Sequence, residues 1–160
     1  MKTLIAIDLG TKTGWAVYRD GKITSGTWQL VDPKRKESAG YRYWQFELQL
    51  MRLIRAVTAS NTPISCVYFE EVRRHLGTEA AHVYGGLRAT LYTVLDKSGI
   101  PYASIPVATI KQAATGKGNA PKDLMLRSAQ EKWPEQNVYD DNQADALWIL
   151  ETAIQKERKL

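Results

Sequence analysis

Three short apolar segments at the start of the chain constrain its fold most strongly. TLIAIDL (3–9) predicts a buried strand, and GWAVYRD (14–20) and KITSGTWQL (22–30) predict two more, each reached through a short turn. The dipeptide Asp20-Gly21 before the third segment is typical of a two-residue β-hairpin. Strands joined by such short turns pair antiparallel, so the chain is predicted to open with a three-stranded meander.

Helices and strands alternate after the meander. The predicted elements are a helix over 38–59, a strand over 64–69, a helix over Thr78–Lys97, a strand over 101–106, short helices over Val107–Thr115 and 121–133, and a final helix from about Asp141. The first helix is assigned an apolar stripe at three- and four-residue steps, formed by Trp44, Leu48, Met51, Ile54 and Val57. Helical crossovers return later strands parallel to the first, so the sequence predicts an α/β, RNase H-like fold. Its mixed five-stranded sheet, three antiparallel strands followed by parallel ones, would be flanked by helices.

Length and charge limit the classes of protein to consider. A chain of 160 residues is predicted to form one domain over 1–160. The formal charge of +5 favours a polyanionic partner. Cys66 is the only cysteine, which excludes an internal disulfide, and it is expected in the core. No apolar run predicts a signal peptide or a membrane span, so the predicted location is the cytoplasm.

Four carboxylates stand at positions where a fold of this type gathers side chains. Asp8 closes the first predicted strand and Glu70 follows the fourth, so both would reach one sheet edge if these strands are neighbours. Asp141 and Asp145 lie one helical turn apart near the end of the chain. Clustered acids stay ionised only if cations compensate their charge, and oxygen ligands suit Mg²⁺ or Mn²⁺. The pattern predicts a metal-dependent nuclease.

Each acid also has a simpler interpretation. Glu70 is equally compatible with a solvated strand end, and Asp140 or Asp141 with a helix N-cap. Asp145 is harder to explain in this way, because it lies on an apolar helix face with Leu147 and Trp148, where an unpaired carboxylate is costly. Glu71 points to the opposite side of the strand from Glu70.

The segment DLGTKTG allows two further interpretations. Gly10 and Gly14 are expected to let the backbone approach a phosphate or a metal, although a plain tight hairpin also explains them. Sugar kinases and actin-like ATPases open with a similar strand and loop. Those proteins need two lobes, and this chain is long enough for one only.

Basic residues cluster near the acids along the sequence. Lys111, Lys117 and Lys122 surround the glycine-rich segment GKGNAPK, which would bind phosphate through lysines and backbone N–H groups. Other candidate DNA contacts are Lys12 in the GTKTG turn and Arg73 and Arg74, which closely follow Glu70 and Glu71. Solvated surface charge is the alternative for all of them. His75 and His82 lack metal-ligand spacing, which argues against zinc.

Four segments, in this order, resemble the RuvC family of Holliday junction resolvases, above all its phage-encoded members. They are IDLGTKTGWA, VYFEEVRRHLGTEAAHVYGG, IKQAATGKGNAPKDLM and DDNQADALWIL. The resemblance covers nearly the whole chain. It implies that Asp8, Glu70 and Asp145 are metal ligands and that Lys111 and Lys122 contact DNA near the cut. It also implies a homodimer formed through the helix Thr78–Lys97.

Two positions depart from the bacterial members of that family. Asn142 replaces an acid or histidine three residues before the last aspartate, while Asp141 stands four before it. Asp141 is therefore predicted as the fourth ligand, with Asn142 as a weaker oxygen donor. Arg73 stands where bacterial members carry an aromatic wedge.

The resemblance implies an endonuclease that nicks two strands of a four-way junction symmetrically. Each site is expected to hold two Mg²⁺ about 4 Å apart, with Asp8 between them, Glu70 on one ion, and Asp141 and Asp145 on the other. Lys111 would offset transition-state charge. The products would be 5′-phosphate and 3′-hydroxyl ends. A broader branched-DNA or flap nuclease and a non-catalytic junction-binding module are the alternatives.

Overall fold

The computed structural model describes residues 2–59 and 61–158. The strands are β1 (Thr3–Asp8), β2 (Lys12–Arg19), β3 (Lys22–Gln29), β4 (Ile64–Glu71) and β5 (Tyr102–Pro106). The helices are α1 (Tyr41–Thr58), α2 (Thr78–Lys97), α3 (Val107–Thr115), α4 (Lys122–Lys132) and α5 (Asp141–Arg158), with a 3₁₀ turn at Pro134–Gln136. Within the described ranges no helix is both long and apolar enough to cross a bilayer.

The five strands form one mixed sheet in the order β3-β2-β1-β4-β5. The meander pairs antiparallel, and β4 and β5 join it parallel to β1. Asp20 and Gly21 both have positive φ angles of 52° and 81°, as the predicted hairpin turn requires. The α/β fold with a mixed five-stranded sheet is confirmed.

Helices cover both faces of the sheet and divide the core into two layers. Ile5, Ile7 and Phe69 pack under α1 and α2 on one face. Leu4, Ala6 and Tyr68 belong to the other layer, which α3, α4 and α5 cover, and Cys66 packs partly buried against it. Because successive strand residues alternate between faces, neighbouring residues of one strand belong to different layers of the core.

The predicted apolar stripe of α1 is wrong at two of its positions. Trp44 and Met51 have 57% and 37% of their surface exposed, whereas Phe46, Leu50 and Val57 are buried. Phe46 meets Trp28 of β3 edge to face, with ring centroids 6.4 Å apart. Both sets of residues recur at helical spacing, so periodicity alone does not decide which one faces the sheet.

Gly14 has a different role from the one expected. It lies inside β2, opposite Asp8, and not in a ligand-binding turn. A Cβ atom at Gly14 would lie 1.8 Å from the backbone oxygen of Asn142. Glycine therefore allows the first turn of α5 to cross β2 at close range, which brings that turn next to Asp8.

Candidate active site

Asp8 and Glu70 are brought together by the pairing of β1 with β4. Ile7 pairs with Phe69, so the following residue of each strand lies at the same edge of the sheet. Asp8 comes two residues after Ala6 and Glu70 two after Tyr68, both of which face the α5 layer. Both carboxylates therefore lie on the α5 side of the edge, where the chain also places the start of α5.

Tyr84 of α2 holds the end of β4, a contact that the sequence did not indicate. Its Oη donates a hydrogen bond to the backbone oxygen of Glu70 at 2.8 Å and accepts one from the backbone N–H of Val72 at 3.3 Å. Tyr84 is buried, whereas the neighbouring Val83 is only partly buried. The helical spacing of Tyr84, Leu87 and Leu91 is the sequence signal that could have predicted the burial of this tyrosine. The tyrosine fixes the backbone that carries the Glu70 carboxylate.

Asp140 is the N-cap of α5, which leaves Asp141 free for other contacts. Its Oδ1 accepts hydrogen bonds from the backbone N–H of Gln143 at 2.8 Å and from Oγ1 of Thr27 at 2.9 Å. The sequence allowed Asp140 or Asp141 to be the helix N-cap, and the structure gives that role to Asp140. Asp141 and Asp145 are both partly exposed, on the turn that follows the cap.

The buried side chain of Gln143 links the first turn of α5 to the sheet through hydrogen bonds. The amide nitrogen of Gln143 donates to Oγ of Ser25 at 3.0 Å and to the backbone oxygen of Gln136 at 3.2 Å. The side-chain oxygen accepts from the backbone N–H of Tyr139 at 3.3 Å. Buried amides are stable only when such partners are present, so this network fixes the register of α5 against β3.

The four predicted acids act on one another electrostatically. Burial, then the charges of Asp145 and Glu70, raise the pKa of Asp8 well above its ordinary value. Burial, then Glu70 and Asp141, raise the pKa of Asp145 to about 7. Burial also raises the pKa of Glu70, against the opposing effects of Lys111 and Lys122. The fold therefore gathers all four carboxylates at one place, where Asp145, Glu70 and Asp141 disfavour the ionisation of Asp8, and Glu70 and Asp141 disfavour that of Asp145.

Two of the predicted lysines face this cluster. Nζ of Lys122 lies 3.2 Å from Oδ2 of Asp141, and this hydrogen bond is the largest cause of the raised pKa of Lys122. Lys111, on α3, is partly buried and its charge lowers the pKa values of Glu70 and Asp145. The lysines lie on α3 and α4, so residues of three helices converge here with the ends of β1 and β4.

The remaining basic candidates lie on the surface. Lys12, Arg74 and Lys117 are exposed, and in the described ranges none of them forms a salt bridge. Arg73 pairs with Glu71 at 3.4 Å, both side chains being solvent-accessible. Surface pairs of this kind contribute little to stability, which leaves these side chains available to an incoming polyanion.

Asn142 is adjacent to the cluster but is engaged with the fold. Its backbone oxygen fills the space above Gly14, and its side-chain amide donates to Oδ1 of Asp141 at 3.4 Å. An amide that donates to a carboxylate orients that carboxylate. This geometry favours Asp141 over Asn142 as the ionic ligand.

The chemistry of the four acids fits a hard divalent cation. Among residues 2–59 and 61–158, no three histidine, cysteine or acidic side chains are arranged as a ready-made metal site. The raised pKa values nevertheless show carboxylates that repel one another in a poorly solvated edge. Cation charge relieves that repulsion, and oxygen donors match Mg²⁺ or Mn²⁺ rather than a softer metal.

The mixed sheet and the acids at its edge define an RNase H-like nuclease domain. No protein-family model matches the sequence. The crossover junction endodeoxyribonuclease RuvC of Halorhodospira halophila (strain DSM 244 / SL1) is 31% identical over 127 residues, which cover 76% of this chain and 71% of that protein. At that identity and coverage, the chain belongs to the RuvC family of crossover junction endodeoxyribonucleases.

Solved structures share the whole fold. The RuvC of Thermus thermophilus in complex with a Holliday junction substrate superposes with a TM-score of 0.79 at 20% identity, covering 99% of this chain and 96% of that one. Another structure of the T. thermophilus RuvC gives 0.72, with 98% and 96% covered, also at 20% identity. The yeast mitochondrial Holliday junction resolvase Ydc2 gives 0.57 at 16% identity, with 93% and 76% covered.

Proposed function

We propose that this protein resolves four-way DNA junctions by paired, symmetric phosphodiester hydrolysis. The observation that carries the proposal is the convergence of four acids at one sheet edge of a RuvC-family chain. The relative from H. halophila is a crossover junction endodeoxyribonuclease, and a T. thermophilus RuvC of the same fold is described with a Holliday junction substrate. The enzyme is thus a crossover junction endodeoxyribonuclease and metal-dependent.

Asp8, Glu70, Asp141 and Asp145 are the residues that we propose to hold the metal. We propose two Mg²⁺ per site, with Mn²⁺ as a substitute. Bound there, the ions would supply Lewis-acid stabilisation of the phosphate charge and lower the pKa of water. Rigid strand ends present Asp8 and Glu70, and a capped, anchored helix presents the other two, so little reorganisation is needed on binding.

Lysines complete the proposed chemistry. Lys111, which is partly buried beside Glu70 and Asp145, is positioned to offset the charge that builds up on the phosphate. Lys122 lies on the open side, with 81% of its side chain exposed, and would contact the DNA backbone. Lys12, Arg73, Arg74 and Lys117 are proposed as further backbone contacts.

Leu76 is proposed to enter the junction in place of the aromatic wedge. Arg73 occupies the wedge position but pairs with Glu71. Leu76, in the loop between β4 and α2, is fully exposed. An apolar side chain that is exposed to solvent near an active site is suited to insertion between base steps.

We propose a homodimer formed through α2. On the side of α2 away from the sheet, His82, Ala89 and Thr93 are exposed and Gly85 is partly exposed. Three of these four side chains are small, so a second copy of the helix could approach closely. Paired sites related by two-fold symmetry would account for paired nicks.

We propose in addition a domain organisation, an origin and a location for this protein. A single domain over 1–160, a place in the phage-encoded branch of the family and a cytoplasmic location, in the host if phage-encoded, agree with the sequence pattern.

Cleavage of a synthetic four-way junction with Mg²⁺ tests the function. We expect Asp8→Asn and Glu70→Gln to lower the cleavage rate by at least about a hundredfold, because each removes a charged ligand from the site. Glu71→Gln is the matched control, since this neighbouring acid lies on the opposite face and should leave the rate near that of the parent. Equal rates for all four proteins would refute the assignment.

A further inference from the structure

A cavity of about 540 Å³ opens beside the acids, on the face of the sheet that α1 and α2 cover. Leu9, which directly follows Asp8, forms part of its lining, as does Val72, two residues after Glu70. The cavity therefore adjoins both strand ends that carry the candidate metal ligands. None of the proposed metal ligands or lysines lines this cavity.

The walls of the cavity suit a flat ring. His75 and Tyr84 both line it, with ring centroids 4.9 Å apart and planes at 46°. Ala80 and Val83 of α2 add apolar surface. Aromatic and apolar walls of this kind bind unstacked nucleobases, because every base has a π-face to stack.

Arg42 of α1 supplies an unused hydrogen-bond donor. It lines the cavity, and its Nε is buried without a hydrogen-bond partner among the described residues. Buried polar atoms in folded proteins nearly always have partners, so an acceptor from a ligand is the natural complement.

Glu79 lines the same cavity and decides which ligand fits best. Its carboxylate disfavours a phosphate at this point, since two anions would repel each other. The edge of a nucleobase offers both acceptors for Arg42 and donors for Glu79. The pair of charged groups therefore favours a base over the backbone.

A second cavity of about 470 Å³ shares Arg42 and Glu79 with the first and leads away from the acids. Arg35, which pairs with Asp32 at 3.6 Å, and Lys36 line it in the loop before α1, and exposed Lys34 precedes them. This basic loop is placed to contact the phosphates of a strand whose base occupies the first cavity.

We propose that the first cavity binds an unstacked base of the cut DNA strand, close to the scissile phosphate, through Arg42. The basic loop 33–36 then contacts the backbone of the same strand. The inference rests on the proposed function and names a second substrate contact beside the metal site.

A double-mutant cycle between Arg42 and the base tests the proposal. Junctions carrying a single abasic site, moved one position at a time around the cut, are bound and cleaved by the parent and by Arg42→Ala. On the intact junction, Arg42→Ala should weaken binding by about tenfold, the usual effect of one base-specific contact. At one abasic position the parent and the variant should bind equally, because the partner of Arg42 has been removed.

Two further variants separate the outcomes. Arg52→Ala, an exposed arginine on the same helix, should bind like the parent on every junction. Arg42→Met keeps the aliphatic part of the side chain without a hydrogen-bond donor and replaces Arg42→Ala if that variant melts early. The same loss for the Arg42 variant on every abasic junction overturns this inference alone. Absence of junction binding by the parent overturns the proposed function and the inference with it.

The salt dependence of binding tests the loop. Lys36→Ala should reduce the slope of log Kd against log salt by about one, as expected for a lost phosphate contact. Lys97→Ala, an exposed lysine at the far end of α2, should leave the slope unchanged. Equal slopes for Lys36→Ala and the parent would remove the loop from the proposed contact.

Discussion

Asp145 shows how single residues set the electrostatics of this edge. Its ordinary pKa of 3.8 rises to about 7 through burial and the charges of Glu70 and Asp141. At pH values between 3.8 and about 7, Asp145 is protonated in the folded chain and ionised in the unfolded chain. The stability linked to Asp145 is therefore complete at low pH and is lost as pH rises through about 7.

We predict that, in chelator, Asp145→Asn gains thermal stability over the parent as pH rises from about 4 to about 8. The neutral amide avoids the unfavourable ionisation of the partly buried acid. Thermal melts at several pH values measure this difference, with Asp123→Asn as a control at an exposed acid. A difference in Tm that does not change with pH would contradict the raised pKa. Saturating Mg²⁺ should favour the parent, because a ligand that binds only the folded state stabilises it.

Tyr84 acts on the site through a backbone contact. Tyr84→Phe keeps the ring but removes the hydroxyl that binds the backbone oxygen of Glu70. We predict a stability loss of about 1 kcal/mol. A shift of Glu70 should also lower kcat about tenfold with KM nearly unchanged, since small misplacements are costly in catalysis. Single-turnover kinetics and thermal melts check this together, and an unchanged kcat would limit Tyr84 to packing.

At the scale of elements, the contact between α5 and β2 places half of the acids. A Cβ at Gly14 would overlap the backbone oxygen of Asn142, so Gly14→Ala must push the first turn of α5 outward. We predict destabilisation of about 1–3 kcal/mol together with reduced cleavage. Gly40→Ala is the control, because no atom lies within 4 Å of a Cβ placed there. Denaturant titration and the junction assay measure both effects, and parent-like behaviour of Gly14→Ala would refute this role.

Leu76 belongs to the loop that joins β4 to α2. Because this side chain is fully exposed, Leu76→Ser should leave thermal stability unchanged. We predict slower junction cleavage with the metal dependence retained, as a wedge contributes to the shape of the DNA and not to metal binding. Parent-like cleavage by Leu76→Ser would exclude the leucine as the wedge.

Element order was predictable from the sequence, whereas faces and side-chain contacts were not. Turn residues such as Asp20-Gly21 and apolar runs are local signals, whereas the pairing of β4 with β1 that brings Asp8 beside Glu70 was only a condition of the sequence prediction. The buried face of α1 depends on which of two apolar stripes meets Trp28 and the sheet, a tertiary choice. Tyr84 and Gly14 act through distant partners, and no local pattern reports such contacts.

At the scale of the whole molecule, paired cutting requires two copies of the site. We predict that Ala89→Glu, which places charge on the outer face of α2, converts a dimer to a monomer without unfolding it. Light scattering measures the mass, and circular dichroism checks the fold. A monomeric parent, or an Ala89→Glu variant that remains dimeric, would exclude this face as the interface.

Mapping the nicks on a fixed four-way junction, with each strand labelled in turn, tests the central claim most directly. The four acids and the two-fold pairing of sites predict two Mg²⁺-dependent nicks at symmetry-related positions of opposite strands. These nicks should be sealed by ligase, and Asp8→Asn should abolish both. Nicks confined to one strand, equal cutting of linear duplex, or cleavage that survives Asp8→Asn would contradict the account.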